Sequence, residues 1–285
     1  MFAPHVLLFL LLTLFRPHQV ASPAVHGGDA ADPSPDRASA GTVVSEGEDL
    51  LYEVRWSIFK LGTVRFKTLK DIQDGPSRLH AAVAFMDSYD GVPFVNLHAM
   101  TYTEMDSLFR SRGAKSLEKK GARWWILHYI MDQPSGRVFV EESWQPDLQT
   151  PPDKRTTIDT LSVDMRLIED SFSLAFFARA HVRSSETVTL PLIVYGKLGA
   201  ATMEFTDVPT STEIDPVDYP IRVVPLRGHL NVEGLFGLTG DFQGWFSDDD
   251  ACVPIKAKLN VILGSVTVEL KAWTRRGWSP PQSSN

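Results

Sequence analysis

Apolar and polar residues alternate along most of the chain after residue 48, which is the repeat of a β-strand with one buried and one exposed face. In the first such segment, 52–58, Tyr, Val, Trp and Ile alternate with Glu, Arg and Ser. The same alternation recurs at 64–67, 79–85, 188–194, 255–261 and 266–270. Turn-forming residues separate these segments, and the spacing predicts about ten to twelve antiparallel strands in a barrel, half-barrel or sandwich.

Two segments depart from this alternation. After Asp170, the run 172–178 contains only Phe, Leu, Ala and Ser, and neither Gly nor Pro interrupts it. We therefore predict a helix near 171–182 that Asp170 or Ser171 caps. Residues 124–131 are largely apolar on both faces, which is typical of a strand covered on both sides. The predicted fold class is mostly β with one main helix.

The first two dozen residues indicate export. The apolar run Val6–Phe15 is long enough for the core of a secretory signal peptide and shorter than the roughly 20 residues of a membrane-spanning helix. Small residues follow the run, so we predict cleavage after Ala24 and a periplasmic or secreted protein. Because no Lys or Arg precedes the run, an uncleaved amphiphilic tail stays open as the alternative.

Composition predicts the domain boundaries. Residues 25–48 are rich in Gly, Ala, Asp, Ser and Pro and contain almost no large apolar side chain. Such a segment cannot bury enough surface to offset its ordering entropy. We therefore predict a signal peptide at 1–24, a disordered spacer at 25–48, a single β domain at 49–274 and a polar tail at 275–285.

Charge and cysteine content argue against several classes of protein. The formal net charge of −7 disfavours a nucleic-acid partner, because an acidic surface repels the phosphate backbone. After the N-terminal run, no segment is apolar for long enough to span a bilayer as a helix. An outer-membrane barrel is also disfavoured, since the polar face of the predicted strands carries Glu, Arg and Lys. Cys252 is the only cysteine, so the sequence predicts no internal disulfide and no lipid attachment to a cysteine after the signal.

Several short motifs occur in an order that resembles a known family. The first strand segment reads Tyr-Glu-Val-Arg-Trp at 52–56 and precedes the turn Leu61-Gly62, and an acidic segment leads into the helix over Asp159–Arg179. The C-terminal motifs are Gly-Trp-Phe-Ser-Asp-Asp-Asp at 244–250, Val253-Pro254, Gly-Ser-Val at 264–266 and Leu270. Together they resemble the bacterial exported proteins called domain of unknown function 3108. The resemblance covers roughly residues 48–273 and implies a periplasmic, mostly β domain without known catalytic residues.

Sequence motifs for catalysis do not occur in the chain. It contains no Gly-x-Ser-x-Gly, no His-Glu-x-x-His, no phosphate-binding loop and no Gly-x-Gly-x-x-Gly after a strand. We interpret Cys252 as a half-buried thiol beside a turn rather than a nucleophile. Four acids are interpreted as caps and solvated positions ahead of the helix rather than as an acid–base pair: Asp159, Asp164, Glu169 and Asp170. We predict no catalytic residue, and a hydrolase that uses scattered acidic and His residues stays open.

Metal binding is not predicted either. Five histidines are scattered over the predicted strands and the helix without ligand spacing: His80, His98, His128, His181 and His229. The acidic run Asp248–Asp250 lacks the spaced carboxylates and the glycine of a calcium-binding loop. We interpret this run as a solvated hairpin turn that discourages edge pairing, and we predict no metal and no cofactor.

Aromatic residues carry the remaining signal for function. The ligand-binding candidates, four of them tryptophans, are Trp56, Phe66, Trp124, Trp144 and Trp245. A curved sheet can direct such side chains into an apolar cavity, or they can fill an ordinary core. The leading hypothesis is non-catalytic binding of a lipid or another apolar or amphiphilic molecule of the cell envelope. The alternative is a structural or adaptor protein that binds another envelope protein.

Overall fold

The structure is a computed structural model. It describes residues 43–93, 95–132, 135–151, 155–164, 168–233, 239–261 and 264–283. The predicted signal peptide, and the predicted spacer up to residue 42, lie outside the described residues.

Within these residues the chain forms seventeen strands and the helix α1 (Ser173–His181). The strands are β1 (Asp49–Trp56), β2 (Phe59–Thr68), β3 (Ile72–Asp74), β4 (Ser77–Ser88), β5 (His98–Met105), β6 (Ser111–Lys120), β7 (Arg123–Asp132), β8 (Arg137–Gln145), β9 (Thr156–Ser162), β10 (Glu169–Asp170), β11 (Thr187–Val194), β12 (Lys197–Phe205), β13 (Thr210–Thr212), β14 (Ile221–Leu230), β15 (Gly240–Ser247), β16 (Pro254–Val261) and β17 (Gly264–Thr274). The mostly β class with one main helix is confirmed. The strand number exceeds the predicted ten to twelve, partly because β3, β10 and β13 are too short for an alternation to show in sequence.

The strands belong to one curved sheet in which β1 is central. β1 lies between β2 and β17, so it joins the N-terminal and C-terminal parts of the chain. On one side the order continues through β2, β4, β5, β6, β7, β8 and β9. On the other side it continues through β17, β16, β15, β14, β12, β11 and β10. β3 and β13 pair with β4 and β14, and all these pairs are antiparallel except β10 with β11. Among the described strands, β9 and β10 form the two edges of the sheet and do not pair with each other, so backbone hydrogen bonds do not close the sheet into a barrel.

Helix α1 packs against the inner face of this sheet. Phe176 and Phe177 are 2% and 0% exposed. Phe172, just before the helix, contacts the ring of Phe66 on β2 with 4.7 Å between the ring centroids. The cluster around the helix draws on strands from both sides of β1: Ala82, Ala84, Met105, Leu190, Met203, Phe205, Leu226 and Phe246. The sheet therefore wraps around the helix, and burial of these aromatic rings is a main contribution to folding.

The start of α1 is fixed by Asp170, one of the two predicted caps. One carboxylate oxygen of Asp170 accepts the backbone N–H groups of Phe172 and Ser173 at 2.8 and 3.1 Å. The other oxygen accepts the hydroxyls of Thr103 on β5 and Ser111 on β6 at 2.5 and 2.7 Å. The N-cap residue itself is Phe172, whose side chain makes no capping hydrogen bond, so neither predicted residue is the N-cap. Asp170 instead binds the first backbone N–H groups from two residues before the N-cap and also holds the helix against two strands of the sheet.

The end of α1 carries a buried ion-pair network. Arg179 donates to Glu48 at 2.7 and 3.1 Å, and Arg275 donates to the same carboxylate at 2.6 Å. Val43 and Val44 are buried beside the helix cluster. Described residues on both sides of the predicted 49–274 domain thus make packing contacts with it. These contacts link the helix to both ends of the described chain.

Candidate functional site

The structure distributes the predicted ligand-binding residues over several places. Trp56 ends β1, is 41% exposed and stacks on Phe59 with 6.3 Å between centroids. Phe66 lies in the core between Tyr52 and Phe172, at 5.2 and 4.7 Å. For Phe66, the structure therefore supports a role in the core over a place in a ligand cavity, because its ring packs directly against the segment that leads into the helix.

The register of the β7–β8 hairpin decides which tryptophans share a face. Trp125 lies opposite Trp144, whereas Trp124 lies opposite Gln145. Because side chains alternate between faces, Trp124 points away from Trp144, contrary to the convergence that the sequence suggested. Trp245 on β15 is half-buried and packs against a core cluster built from strands β1, β14, β16 and β17.

Trp125 and Trp144 belong to a group that we call the aromatic–cation cluster: Lys120, Trp125, Glu142, Trp144 and Tyr195. The rings of Trp125 and Tyr195 are parallel, with 6.0 Å between centroids. Both indole N–H groups donate to one oxygen of Glu142, from Trp125 at 2.6 Å and from Trp144 at 3.1 Å. The ammonium of Lys120 lies 3.6 Å from the centre of the Trp125 ring. One carboxylate thus orients two indoles beside a cation.

Two turns bring the members of this cluster together. The β6–β7 turn contains Gly121 with φ +63, a conformation that favours glycine, and it leaves Lys120 beside Trp125. The β11–β12 turn contains Tyr195 and Gly196, with φ 48 and φ 75. The backbone N–H of Gly196 donates to the hydroxyl of Tyr129 on β7 at 3.2 Å. The second turn is therefore held against β7, which sets Tyr195 over Trp125.

The cluster combines apolar surface with charges of both signs, since Lys120 lies 3.8 Å from the carboxylate of Glu118 and the carboxylate of Glu142 accepts both indole N–H groups. Trp125, Trp144 and Tyr195 are half-buried, and Lys120 is exposed. Arg123 lies 5.9 Å from the Trp144 ring. Burial raises the pKa of Tyr195 above its ordinary value, so its phenol stays neutral. The exposed parts of these half-buried rings offer apolar surface to an aliphatic chain, and Lys120 and Arg123 offer positive charge to a carboxylate or phosphate group.

A polar groove lies elsewhere, where β12, β14, β15 and β16 run side by side. Its volume is about 370 Å³, and its walls include Glu204, Arg227, His229, Asp241 and Lys258. His229 contacts Asp241 at 2.7 Å. Acidic and basic groups alternate across these walls, so the groove has no net preference for one sign of charge. Sequence patterns do not predict this groove, because its walls are built from residues that become neighbours only across strands.

The acidic run Asp248–Asp250 is not the solvated turn that the sequence suggested. Asp248 pairs with Arg183 at 2.7 Å and with Arg222 at 2.8 Å. Asp249 accepts the indole N–H of Trp278 at 2.8 Å. Two of the three carboxylates are therefore used within the fold, because the arginines and the tryptophan come from distant segments.

The thiol and the histidines serve local contacts in the described part of the chain. Cys252 is 2% exposed, and burial raises its pKa to about 11, which leaves the thiol protonated and unreactive. Three histidines contact three different carboxylates: His80 with Asp71, His98 with Asp87 and His229 with Asp241. Among the described residues, no group of three or more His, Cys, Asp or Glu side chains is arranged to hold a metal ion.

Glu169 and Asp170 differ from the solvated positions that the sequence predicted, since both are buried. Within the described part of the chain, the carboxylate oxygens of Glu169 have no hydrogen-bond partner, and the guanidinium of Arg110 is 4.0 Å away. Burial raises the pKa of Glu169 well above its ordinary value. A neutral, enclosed acid next to the helix cap fits a structural position better than an exposed general acid.

No family model and no curated protein matches the chain. Among solved structures, it is similar to the β-barrel-like protein of domain of unknown function DUF1849 from Brucella abortus, with a TM-score of 0.51 and 10% identity, over 81% of this chain and 98% of that chain. It also matches a protein from Bacteroides fragilis that is assigned as exported and has a YmcC-like fold, with a TM-score of 0.33 and 6% identity, over 81% and 97%.

These comparisons establish the class of fold. The Brucella structure shows that the chain has a β-barrel-like fold, while the second match is too distant to carry an argument. The resemblance to domain of unknown function 3108 is not confirmed, because no family model matches. No helix in the described segments is long and apolar enough to cross a membrane.

Proposed function

We propose that the protein is a non-catalytic binding protein of the cell envelope, exported to the periplasm or secreted. Its ligand is an amphiphile with an anionic head group and an aliphatic chain, bound at the aromatic–cation cluster. The apolar run Val6–Phe15 with its small flanking residues supports export. The engagement of Cys252, Asp248 and Asp249 within the fold supports a non-catalytic role.

One observation carries this proposal: Glu142 holds two half-buried indoles in place beside Lys120. A carboxylate that orients two rings reduces the ordering cost of binding, since the site is already formed. Each methylene that the rings remove from water contributes about 0.8 kcal/mol. The interior of the sheet offers no comparable place around Phe66, because the helix segment packs there.

We expect Lys120→Gln to weaken binding of a monomeric anionic lysophospholipid by about tenfold, because it removes a charge-assisted contact of about 1.5 kcal/mol. Binding is measured by tryptophan fluorescence below the critical micelle concentration, with Trp125 and Trp144 as reporters. The matched control is Lys115→Gln, on the same strand but on the opposite face, which should bind like the wild type. Equal affinities for the two variants, or no binding by the wild type, would contradict the proposal.

An adaptor role is the second candidate, and the edge strand β9 favours it. Six of its seven residues are exposed, including Ile158 at 49%, and within the described strands β9 pairs only with β8. Such an edge can accept a strand from another protein. We expect Thr157→Pro to abolish capture of an envelope protein if this role is correct, while lysophospholipid binding persists. If Thr157→Pro still captures the envelope protein that the wild type captures, the adaptor role through β9 is contradicted.

A further inference from the structure

Several turns of the sheet lie at one end. The antiparallel registers place Trp56 of β1 beside Val266 of β17, and Ala99 of β5 beside Glu118 of β6. The β1–β2, β6–β7 and β16–β17 turns therefore share this end, together with the β4–β5 and β8–β9 connections. Contact between Trp125 and Tyr195 brings the β11–β12 turn to the same end. The aromatic–cation cluster thus lies at the end where these turns project.

The β1–β2 turn exposes an unusual amount of apolar surface. Ile58 is 84% exposed, Phe59 is 59% exposed and Trp56 is 41% exposed. These three large apolar residues lie within four positions, and the part of their surface that stays in water contributes nothing to folding. Isolated exposed apolar residues are ordinary, whereas a contiguous group marks an interaction site. Leu148 and Leu198, 49% and 42% exposed, lie at or beside other turns of this end.

Positive charges accompany these apolar residues although the protein is acidic overall. Exposed cations follow Phe59, precede Leu198 and flank the β6–β7 turn: Lys60, Lys119, Lys120, Arg123 and Lys197. Within the described residues, the exposed acids at this end are Asp87, Asp90, Asp147, Glu233 and Asp241. Lys60 and Lys120 also pair with Glu53 and Glu118, at 3.1 and 3.8 Å. Apolar and aromatic side chains with adjacent Lys and Arg form the pattern of a surface that enters the head-group region of an anionic bilayer.

We infer that the β1–β2 turn docks the domain on a lipid surface that contains anionic phospholipid, with Trp56, Ile58 and Phe59 inserted between head groups. This inference rests on the proposed function. It adds that the end of the sheet that carries the aromatic–cation cluster also binds an anionic bilayer. When the domain is docked, Lys120 and the neighbouring indoles face the bilayer. The amphiphile can then pass from the bilayer to the aromatic–cation cluster. The net charge of −7 keeps the rest of the surface away from the bilayer, which favours one orientation.

The test uses the full chain with vesicles of phosphatidylcholine, or of phosphatidylcholine and phosphatidylglycerol in equal parts. We expect the wild type to sediment with the mixed vesicles and the double variant Ile58→Asp/Phe59→Asp to lose more than about tenfold in partitioning. The matched control is Val208→Asp, which is 68% exposed in the connection after β12, at the opposite end of the sheet. It should partition like the wild type, and thermal unfolding should show all three proteins folded.

The outcomes separate the two proposals. The double variant should still bind monomeric lysophospholipid, since its substitutions lie outside the aromatic–cation cluster. Docking is overturned if the wild type and the double variant sediment equally, or if the protein binds neutral vesicles more strongly than anionic ones. In either case, the proposed function is decided separately by whether the wild type binds lysophospholipid. A lipid-independent dimer in light scattering that the double variant abolishes would identify a second copy of the chain as the occupant and would also overturn docking.

Discussion

Replacement of Glu48 by leucine is expected to lower the free energy of unfolding by about 3–5 kcal/mol, the range for removal of one partner from a buried ion pair. Arg179 is 2% exposed, and its guanidinium donates to Glu48 and to the carbonyl of Ala251. Without the carboxylate, the charge of Arg179 stays in the core with only neutral acceptors. Arg275 loses its ion pair with Glu48 as well.

The measurement is urea unfolding followed by tryptophan fluorescence. Glu46→Leu is the matched control, because Glu46 is exposed two residues away. The double variant Glu48→Leu/Arg179→Met should recover part of the loss, since it removes both charges. If Glu48→Leu and Glu46→Leu unfold within about 1 kcal/mol of each other, the network does not stabilise the fold.

The ion pair between Glu48 and Arg179 also makes the free energy of unfolding depend on pH. Burial raises the pKa of Glu48, but Arg179 and Arg275 more than offset this effect, so its folded-state pKa lies below the ordinary 4.5. The stabilisation by this carboxylate is therefore fully present above about pH 4.5 and is lost as the pH falls through the lower folded-state value. In Glu48→Leu, this part of the acid dependence should disappear.

Replacement of Asp170 by alanine is expected to cost about 4 kcal/mol, because it leaves four buried donors without their acceptor. These are the backbone N–H groups at the start of α1 and the hydroxyls of Thr103 and Ser111. Asp170→Asn keeps one carbonyl oxygen for the helix start and should cost less. Asp159→Ala is the control, since Asp159 is exposed and bonds only locally to Thr160 in the described contacts.

Thermal and chemical unfolding measure the cost of the Asp170 variants. Circular dichroism should show that any folded fraction of Asp170→Ala keeps its strand signal, since the lost contacts concern mainly the helix. An Asp170→Ala variant as stable as Asp159→Ala would show that the links to β5 and β6 contribute nothing.

The sequence predicted the elements that depend on local pattern. Alternation over 188–194 and 255–261 identified strands, and that over 52–58 identified β1 up to Trp56, since a half-buried strand requires a side-chain period of two. Asp170 followed by an aromatic run identified the helix, because its apolar face is contiguous in sequence, but the N-cap is Phe172 rather than Asp170 or Ser171. Short strands such as β10 and β13 escaped detection, because two or three residues carry no period.

The candidate site was predicted only in part for a related reason. Trp144 was selected from the sequence, but its indole neighbour is Trp125 rather than Trp124, and a shift of one residue reverses the face of every side chain on a strand. Lys120 and Tyr195 could not be selected, because they reach Trp125 from separate turns. The three large apolar residues within 56–59 were visible in the sequence, yet their exposure was not, since the alternation placed Trp56 and Ile58 in a strand that ended at a turn over Leu61-Gly62. That turn prediction is wrong, because the turn lies at 57–58 and Leu61-Gly62 belongs to β2.

The sequence by itself determined the mostly β class, the position of the helix and the apolar N-terminal run, because each depends on residues that are close along the chain. Only the tertiary structure decided the central place of β1, the packing of the helix inside the sheet and the partners of Glu48. It also decided which rings share the aromatic–cation cluster. These features are contacts between residues far apart in sequence, and they follow from strand register and burial, which local pattern does not specify.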